Sequence, residues 1–516
     1  MSTQNPSVEQ NVAEWLATYD TPDADVVDLV CDRHDPTAVA FTYIDEDLGS
    51  EDVTYGQLAE RSRRLATVLA DHGVREGDRV PVLMSKRREL VETLLAIWRL
   101  GAVQVPLFTA FATGAIEMRV EGSAATLVMT EPSQRFKLDP IAGIEVLEVG
   151  DDLDARIDAA APLAENVAVG GWGTMLQLFT SGTTGKPKGV PVPARALAAF
   201  HCYVHYSLDV TEDDVFWNAA DPGWAYGLYY GILGPMVAGR RSLQLMAGFS
   251  VESTVAVLKE FGVTNFASAP TVYRTLSKSD LVTGIDLRRA SSAGEPLTPD
   301  VVSWAQEALG TEVRDQYGQT ELGMVINNNW HPEIAQPVRT GSMGQPMPGY
   351  SAGIVDGQIA IDVENSPLLW FTGYQDSPEK TAERFTDDGR WYLTADTGKV
   401  DGDGFYYFTA RDDDVILAAG YRIGPFDVES VLITHPAVVD VAVVGRPDPE
   451  GIRGEVVEAF VVLADGVSET DDLRTEMQTY VREQYSKHAY PRTVHFVESL
   501  PKTPSGKVQR YLLREG

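Results

Sequence analysis

Two hydrophobic periods alternate along the first third of the chain. Ala38 to Ile44 is an apolar run of strand length, and from about Tyr55 to Ala70 the residues Leu58, Leu65, Val68 and Leu69 recur on one helical face. Arg79 to Met84 then predicts a short strand, Leu90 to Leu100 a helix, and Ala102 to Leu107 and Ala124 to Thr130 two further strands. Short apolar strands alternating with helices predict a parallel, layered α/β sheet. The rhythm resumes with helices near Pro193 to Cys202 and Val251 to Phe261. Between Gly341 and Phe408 short β segments separated by Gly, Pro and Asp turns predict a small antiparallel sheet or barrel. After Arg411-Asp412-Asp413-Asp414 the alternation returns, with helices at Val428 to Thr434 and Asp472 to Gln484 and strands at Val438 to Val444 and Val456 to Leu463. The expected fold is α/β: a large N-terminal domain of layered α/β sheets plus a small β-barrel (1–411), then a smaller, mobile α+β C-terminal domain (412–516). The charged junction suits a hinge.

The length of 516 residues exceeds what one core organises, so at least two domains are expected, and 44% hydrophobic residues suffice to fill them. A formal charge of −33 therefore does not signal disorder. It does disfavour a nucleic-acid or anionic-membrane partner, which clustered Lys and Arg would have to neutralise. No apolar run is long enough to span a bilayer, and Met1 to Asp20 lacks the basic-then-apolar order of a secretory signal, so a cytoplasmic location is expected. Eleven lysines against 31 arginines, in an acidic chain, point to a salt-adapted, haloarchaeal source, where dense screening weakens repulsion among carboxylates. Cys31 and Cys202 are too few for a disulfide framework or a cysteine metal site.

The strongest local signal is Leu178-Phe179-Thr180-Ser181-Gly182-Thr183-Thr184-Gly185-Lys186-Pro187-Lys188-Gly189-Val190. Three glycines, interleaved hydroxyls and two of the eleven lysines suit a loop wrapping a polyphosphate. It is not a Walker A loop, because only two residues separate Gly182 from Gly185-Lys186 and Pro187 blocks a following helix. The loop resembles the phosphate loop of the adenylate-forming superfamily, which includes acyl-CoA synthetases, luciferases and nonribosomal peptide adenylation domains. The other motifs of that family follow in order across nearly the whole chain: Gly294-Glu295-Pro296, Asp315-Gln316-Tyr317-Gly318-Gln319-Thr320-Glu321, Thr394-Ala395-Asp396-Thr397-Gly398 with Arg411, and Pro501-Lys502-Thr503-Pro504-Ser505-Gly506-Lys507.

The resemblance implies ATP, Mg²⁺ and CoA as reactants and partners, and a small-molecule carboxylic acid as substrate. The acid is first joined to AMP with loss of pyrophosphate, then passed to a thiol. Three anions meet, so catalysis is positioning and charge neutralisation. By resemblance Lys507, Thr320 and Lys186 are the catalytic residues, with Lys507 bridging carboxylate and α-phosphate. Nucleotide binding falls to Thr180, Ser181, Gly182, Thr183, Thr184, Gly185, Lys188, Gly294, Glu295, Pro296, Asp315, Gln316, Tyr317, Gly318, Thr320, Asp396 and Arg411. Within that set Asp396 and Arg411 form the ribose pair, and Tyr317 offers a ring face to adenine. Glu321 supplies the hard oxygen that Mg²⁺ prefers. Asp413 corresponds to the hinge, and Gly420, Tyr421 and Arg422 face the site in the thioester-forming state.

Asp221-Pro222-Gly223-Trp224-Ala225-Tyr226-Gly227 and Arg422-Ile423-Gly424-Pro425-Phe426-Asp427-Val428-Glu429 narrow the resemblance to medium-chain acyl-CoA synthetases. Trp224, Ala225, Tyr226, Ala293 and Gly318 are the expected acyl-pocket residues. Acetyl-CoA synthetases place a Trp at the position of Gly318, so glycine there admits a longer chain or a ring, while Tyr226 refills part of the space. The expected activity is an ATP-dependent acyl-CoA synthetase of fatty acid metabolism, acting on short- or medium-chain or aromatic acids. An acetyl- or propionyl-CoA synthetase, a ligase loading a separate carrier protein, a luciferase-like oxidation and a non-catalytic nucleotide-binding protein are the alternatives.

Overall fold

The computed structural model describes residues 6–180, 187–411, 414–418, 421–449, 455–486, 488–503 and 507–515. Ser181 to Lys186, Asp413, Gly420 and Pro504-Ser505-Gly506 lie outside the described residues. The chain forms a large N-terminal domain and a smaller C-terminal one, both mixed α/β.

The expected strands and helices of the first third appear nearly where the periodicity puts them, as Val39–Ile44, Tyr55–Asp71, Arg79–Leu83, Arg88–Arg99, Val103–Leu107 and Leu127–Thr130. Two sheets organise the large domain. A six-stranded sheet carries Arg79–Leu83, Val103–Leu107 and Leu127–Thr130 in parallel register and ends on the antiparallel pair Thr174–Thr180 and Lys188–Pro193. A nine-stranded sheet runs in parallel through Phe216–Asn218, Asn265–Ser268, Arg289–Ala293 and Val313–Gln319 before turning antiparallel at Gly323–Asn327. The antiparallel segment is a four-stranded sheet of Ala352–Val355, Gln358–Asp362, Trp391–Val400 and Tyr406–Arg411.

The helix Arg88–Arg99 is buried from Leu90 to Arg99 without a solvent face, so its polar residues must be paired inside. Glu92 takes Arg88 at 2.6 Å, and Arg99, fully inaccessible, reaches Asp32 at 2.7 Å, Ser62 at 2.9 Å and Asn166 at 2.8 Å. Such an arrangement holds only when every partner is present. Cys31 and Cys202 are buried free thiols. No described helix is long and apolar enough to cross a membrane.

The small domain packs the helices Pro425–Leu432 and Asp471–Gln484 against the strands Val438–Pro447, Glu455–Leu463 and Thr493–Phe496 around its own apolar cluster. A short helix, Arg510–Glu515, closes the chain.

Candidate active site

Strands of one parallel sheet end on the same edge, and ligands bind in the crevice there. In the nine-stranded sheet that edge gathers three of the predicted motifs. Asn218 leads to the Asp221–Gly227 loop, Ala293 to Gly294-Glu295-Pro296, and Gln319 to Thr320-Glu321. From the six-stranded sheet, Thr180 and Lys188 sit opposite one another, so 181–187 connects them.

Adjacent residues of a strand point to opposite faces, and Val313–Gln319 divides its motif accordingly. Asp315, Tyr317 and Gln319 share one face. The Tyr317 hydroxyl and the Gln319 amide each donate to the same Asp396 oxygen at 2.6 Å, and Gln319 also donates to the Thr394 carbonyl at 2.8 Å. The other Asp396 oxygen has no partner among the described residues and is left to accept from a ligand. Burial, reinforced by the Asp396 charge, pushes the Tyr317 hydroxyl well above its usual value, so it stays protonated and donates. Ala395 adopts a left-handed φ of 60°, a kink between Thr394 and Asp396 within the strand. Arg411 lies directly across the ladder from Asp396.

Gln316 points the other way. Its side chain accepts from the Tyr203 hydroxyl and donates to the Ser207 carbonyl at 3.2 Å, inside the core. The structure therefore separates the Gln316 side chain from Tyr317 and Gln319, which turn to Asp396. Asp315 accepts from the Leu297 and Gln316 amides at 3.3 and 3.0 Å, and burial raises its carboxyl to about 7.

Glu321 is 6% exposed, and one of its oxygens accepts from the Tyr374 hydroxyl at 2.7 Å. That hydroxyl accepts in turn from Arg384 at 2.9 Å, and the Lys188 ammonium lies 4.6 Å from the Tyr374 ring centroid. Desolvation, with the Arg384 charge, holds Lys188 below its ordinary pKa. Thr320 adjoins them, its carbonyl accepting from Tyr229 at 3.1 Å. Tyr374, Arg384 and Gln319 were not assigned from the sequence. The period-2 rule would have found Gln319, but Tyr374 and Arg384 lie outside every recognised motif.

Gly294 takes φ 108° and a side chain there would meet open space, consistent with a turn that passes close to a ligand. Glu295 is held by Arg274 at 3.0 Å, while its second oxygen is buried without a partner. Lys507 arrives from the C-terminal domain on a stem closed by the Thr503 to Lys507 hydrogen bonds, 2.7 and 3.1 Å, and by the Lys502–Val508 bridge. The residue keeps solvent access, yet protein crowds its ammonium and lowers its pKa; Glu295, then Asp396 and Glu321, oppose that shift, and Arg411 adds to it. The carboxylates whose charge acts on Lys507, those of Glu295, Asp396 and Glu321, lie far apart in sequence.

The expected acyl-pocket residues divide. Ala293 is buried in the central core, with Ala225 and Tyr226 packed against it. Tyr203 spends its only proton on Gln316, so the Tyr226 hydroxyl donates to Tyr203 at 3.2 Å. Trp224 packs elsewhere, against Phe108 and Phe111 with ring centroids 5.0 and 5.4 Å away. Gly318 backs onto the neighbouring strand: a Cβ there would fall 2.1 Å from the Gly323 carbonyl oxygen. The glycine is required by backbone contact. The hairpin Ile416–Ala418 and Tyr421–Ile423 places Leu417 opposite Arg422 and Ala418 opposite Tyr421.

The AMP-binding enzyme family matches residues 30–365, and the AMP-binding enzyme C-terminal domain matches 427–507. An acetyl-coenzyme A synthetase of Bacillus subtilis is 35% identical over 90% of this chain and 85% of its own. The mitochondrial acyl-coenzyme A synthetase ACSM3 of Homo sapiens is 33% identical over 99% of this chain and 92% of its own. The crystal structure of a Brucella canis acyl-CoA synthetase superposes with a TM-score of 0.75 at 43% identity, covering 98% of this chain and 96% of that one.

Proposed function

Because the chain belongs to the family of AMP-binding enzymes and is an AMP-forming acid–thiol ligase, we propose that it activates a carboxylic acid longer than acetate and transfers it to CoA. The observation that carries this reading is the Asp396 carboxylate held by Tyr317 and Gln319 at 2.6 Å, with Lys507 of the C-terminal domain within reach of its charge. ATP and CoA are the co-substrates. The free Asp396 oxygen would accept from the ribose hydroxyls, Tyr317 would flank the base, and Lys507 would neutralise charge developing between carboxylate and α-phosphate.

Glu321 fits Mg²⁺, since one oxygen is oriented by Tyr374 and the other remains a hard anionic ligand. The ion would supply charge neutralisation at the phosphates. A single protein carboxylate suits an ion otherwise held by water and phosphate. Among the described residues no cluster of three or more His, Cys, Asp or Glu offers an all-protein cage.

An acid larger than acetate is supported by Gly318. A tryptophan wall cannot be built on this backbone, because even a Cβ meets the adjoining strand. Short- and medium-chain and aromatic acids are the proposed range, limited on one side by Tyr226. The proposal includes a domain boundary at 411/412, a hinge at Asp413, and a second state presenting Gly420, Tyr421 and Arg422. It also includes a haloarchaeal, cytoplasmic setting, supported by the −33 charge and the scarcity of lysine.

ATP–pyrophosphate exchange in molar KCl, with acetate, propionate, butyrate, octanoate and benzoate, tests the reading. Exchange is expected with acids beyond acetate, and AMP release should then require CoA. Exchange confined to acetate would overturn the substrate range, and exchange that CoA never converts to turnover would overturn the acceptor.

A further inference from the structure

Lys507 acts at the far end of a lever, and the structure shows what stiffens it. Asp414 is the first described residue after the junction, and its carboxylate is the meeting point of two arginines from the C-terminal helix. Arg510 lies 3.5 Å from one oxygen, and Arg514 pairs with the other. Four residues apart, the two arginines occupy one helical face. Arg510 also donates from one nitrogen to both oxygens of Glu429 at 2.8 Å, and Glu429 accepts from the Val443 amide at 2.7 Å. A third tie runs from Arg446 to the Leu513 carbonyl at 3.2 Å.

These groups are largely withdrawn from solvent, with side-chain exposures of 14% for Asp414, 22% for Arg510 and 11% for Glu429. A partly buried, multiply bonded ion cluster adds little net stability but costs several kcal/mol to break, and so specifies one geometry. Here it joins the chain leaving the junction to the helix that starts three residues after Lys507.

We propose that Asp414, Arg510 and Arg514 are positioning residues that transmit the orientation of the junction to Lys507, so that rotation of the small domain carries the lysine as part of a rigid body. This rests on the ligase reading above and deepens it. On that reading Lys507 serves adenylate formation, whereas thioester formation uses the hairpin of Ile416–Ala418 and Tyr421–Ile423. The coupling therefore matters for the first half-reaction and not the second.

The test measures the two half-reactions separately in the full-length enzyme: ATP–pyrophosphate exchange with an accepted acid, and AMP release from supplied acyl-adenylate and CoA. Arg510→Gln should lower exchange about 10- to 100-fold, the cost of misplacing a catalytic group by about 1 Å, with AMP release within about threefold of the unmodified enzyme. Arg514→Gln should act in the same direction more weakly, and Arg510→Lys should recover part of the loss. Equal loss in both half-reactions would mean that the cluster merely holds the domain together and would overturn the coupling, as would unchanged exchange in Arg510→Gln. Failure of the unmodified enzyme to exchange with any acid would instead sink the ligase reading, a separate outcome.

Discussion

The proposed nucleotide side and the proposed acyl side of the cleft are built by opposite means. On the nucleotide side, neutral donors hold carboxylates in place with one oxygen left over: Tyr317 and Gln319 on Asp396, Tyr374 on Glu321. On the acyl side, the polar atoms are consumed internally, Tyr226 on Tyr203 and Tyr203 on Gln316, leaving aromatic surface. The first arrangement is preorganised for a ligand of fixed chemistry. The second discriminates by shape, which is worth only about 1–3 kcal/mol per methylene.

If the two sides are independent, each should fail alone. Asp396→Ala removes a charged acceptor of two hydroxyls and should lower kcat/KM for ATP about 100-fold, with the ranking of acids unchanged. Steady-state kinetics at varied ATP with two acids would show it, and a reordered acid preference would break the separation. Gly318→Ala strikes both sides through the backbone. Its Cβ would collide with the Gly323 carbonyl, so a loss of about 1–3 kcal/mol is expected in chemical denaturation, and an unchanged midpoint would contradict the close approach. Tyr226→Ala should act on the acyl side only, raising the preference for octanoate over propionate about tenfold at constant KM for ATP.

The smallest effect concerns Asp315. Burial raises its carboxyl to about 7 from 3.8, so between those values the folded protein holds a proton that the unfolded chain has released. Stability from this group therefore declines as pH rises from about 4 to 7 and levels off above. Asp315→Asn should flatten that slope, narrowing the difference between melting temperatures at pH 5 and pH 8. An unaltered difference would show that the carboxyl titrates normally.

Legibility followed the same divide. The helix Tyr55–Asp71 and the strands Arg79–Leu83 and Val103–Leu107 were readable because the burial of each element is written in its own period. The segments around Asp396 and Lys507 were recognisable because their motifs are local. Gln316 was assigned with its neighbours although strand alternation turns it into the core, where Tyr203 and Ser207 claim it. Trp224 was assigned to the acyl pocket with Tyr226 by resemblance, and only the fold shows that it packs on Phe108 and Phe111. Tyr374 and Arg384 carry no local signal, since their roles exist only through Glu321, more than fifty residues earlier.

By itself the sequence determined the layered α/β architecture, the order of the motifs and the chemistry they can supply, because periodicity and residue type are local properties. Tertiary structure alone decided which side chains of each motif turn toward Asp396 and which into the core, that a glycine at 318 answers to a neighbouring strand, and that Asp414 and Arg510 tie the junction to the helix that follows Lys507. Those facts depend on distances between segments remote in the chain, and such distances are fixed only when the packed core excludes every other arrangement.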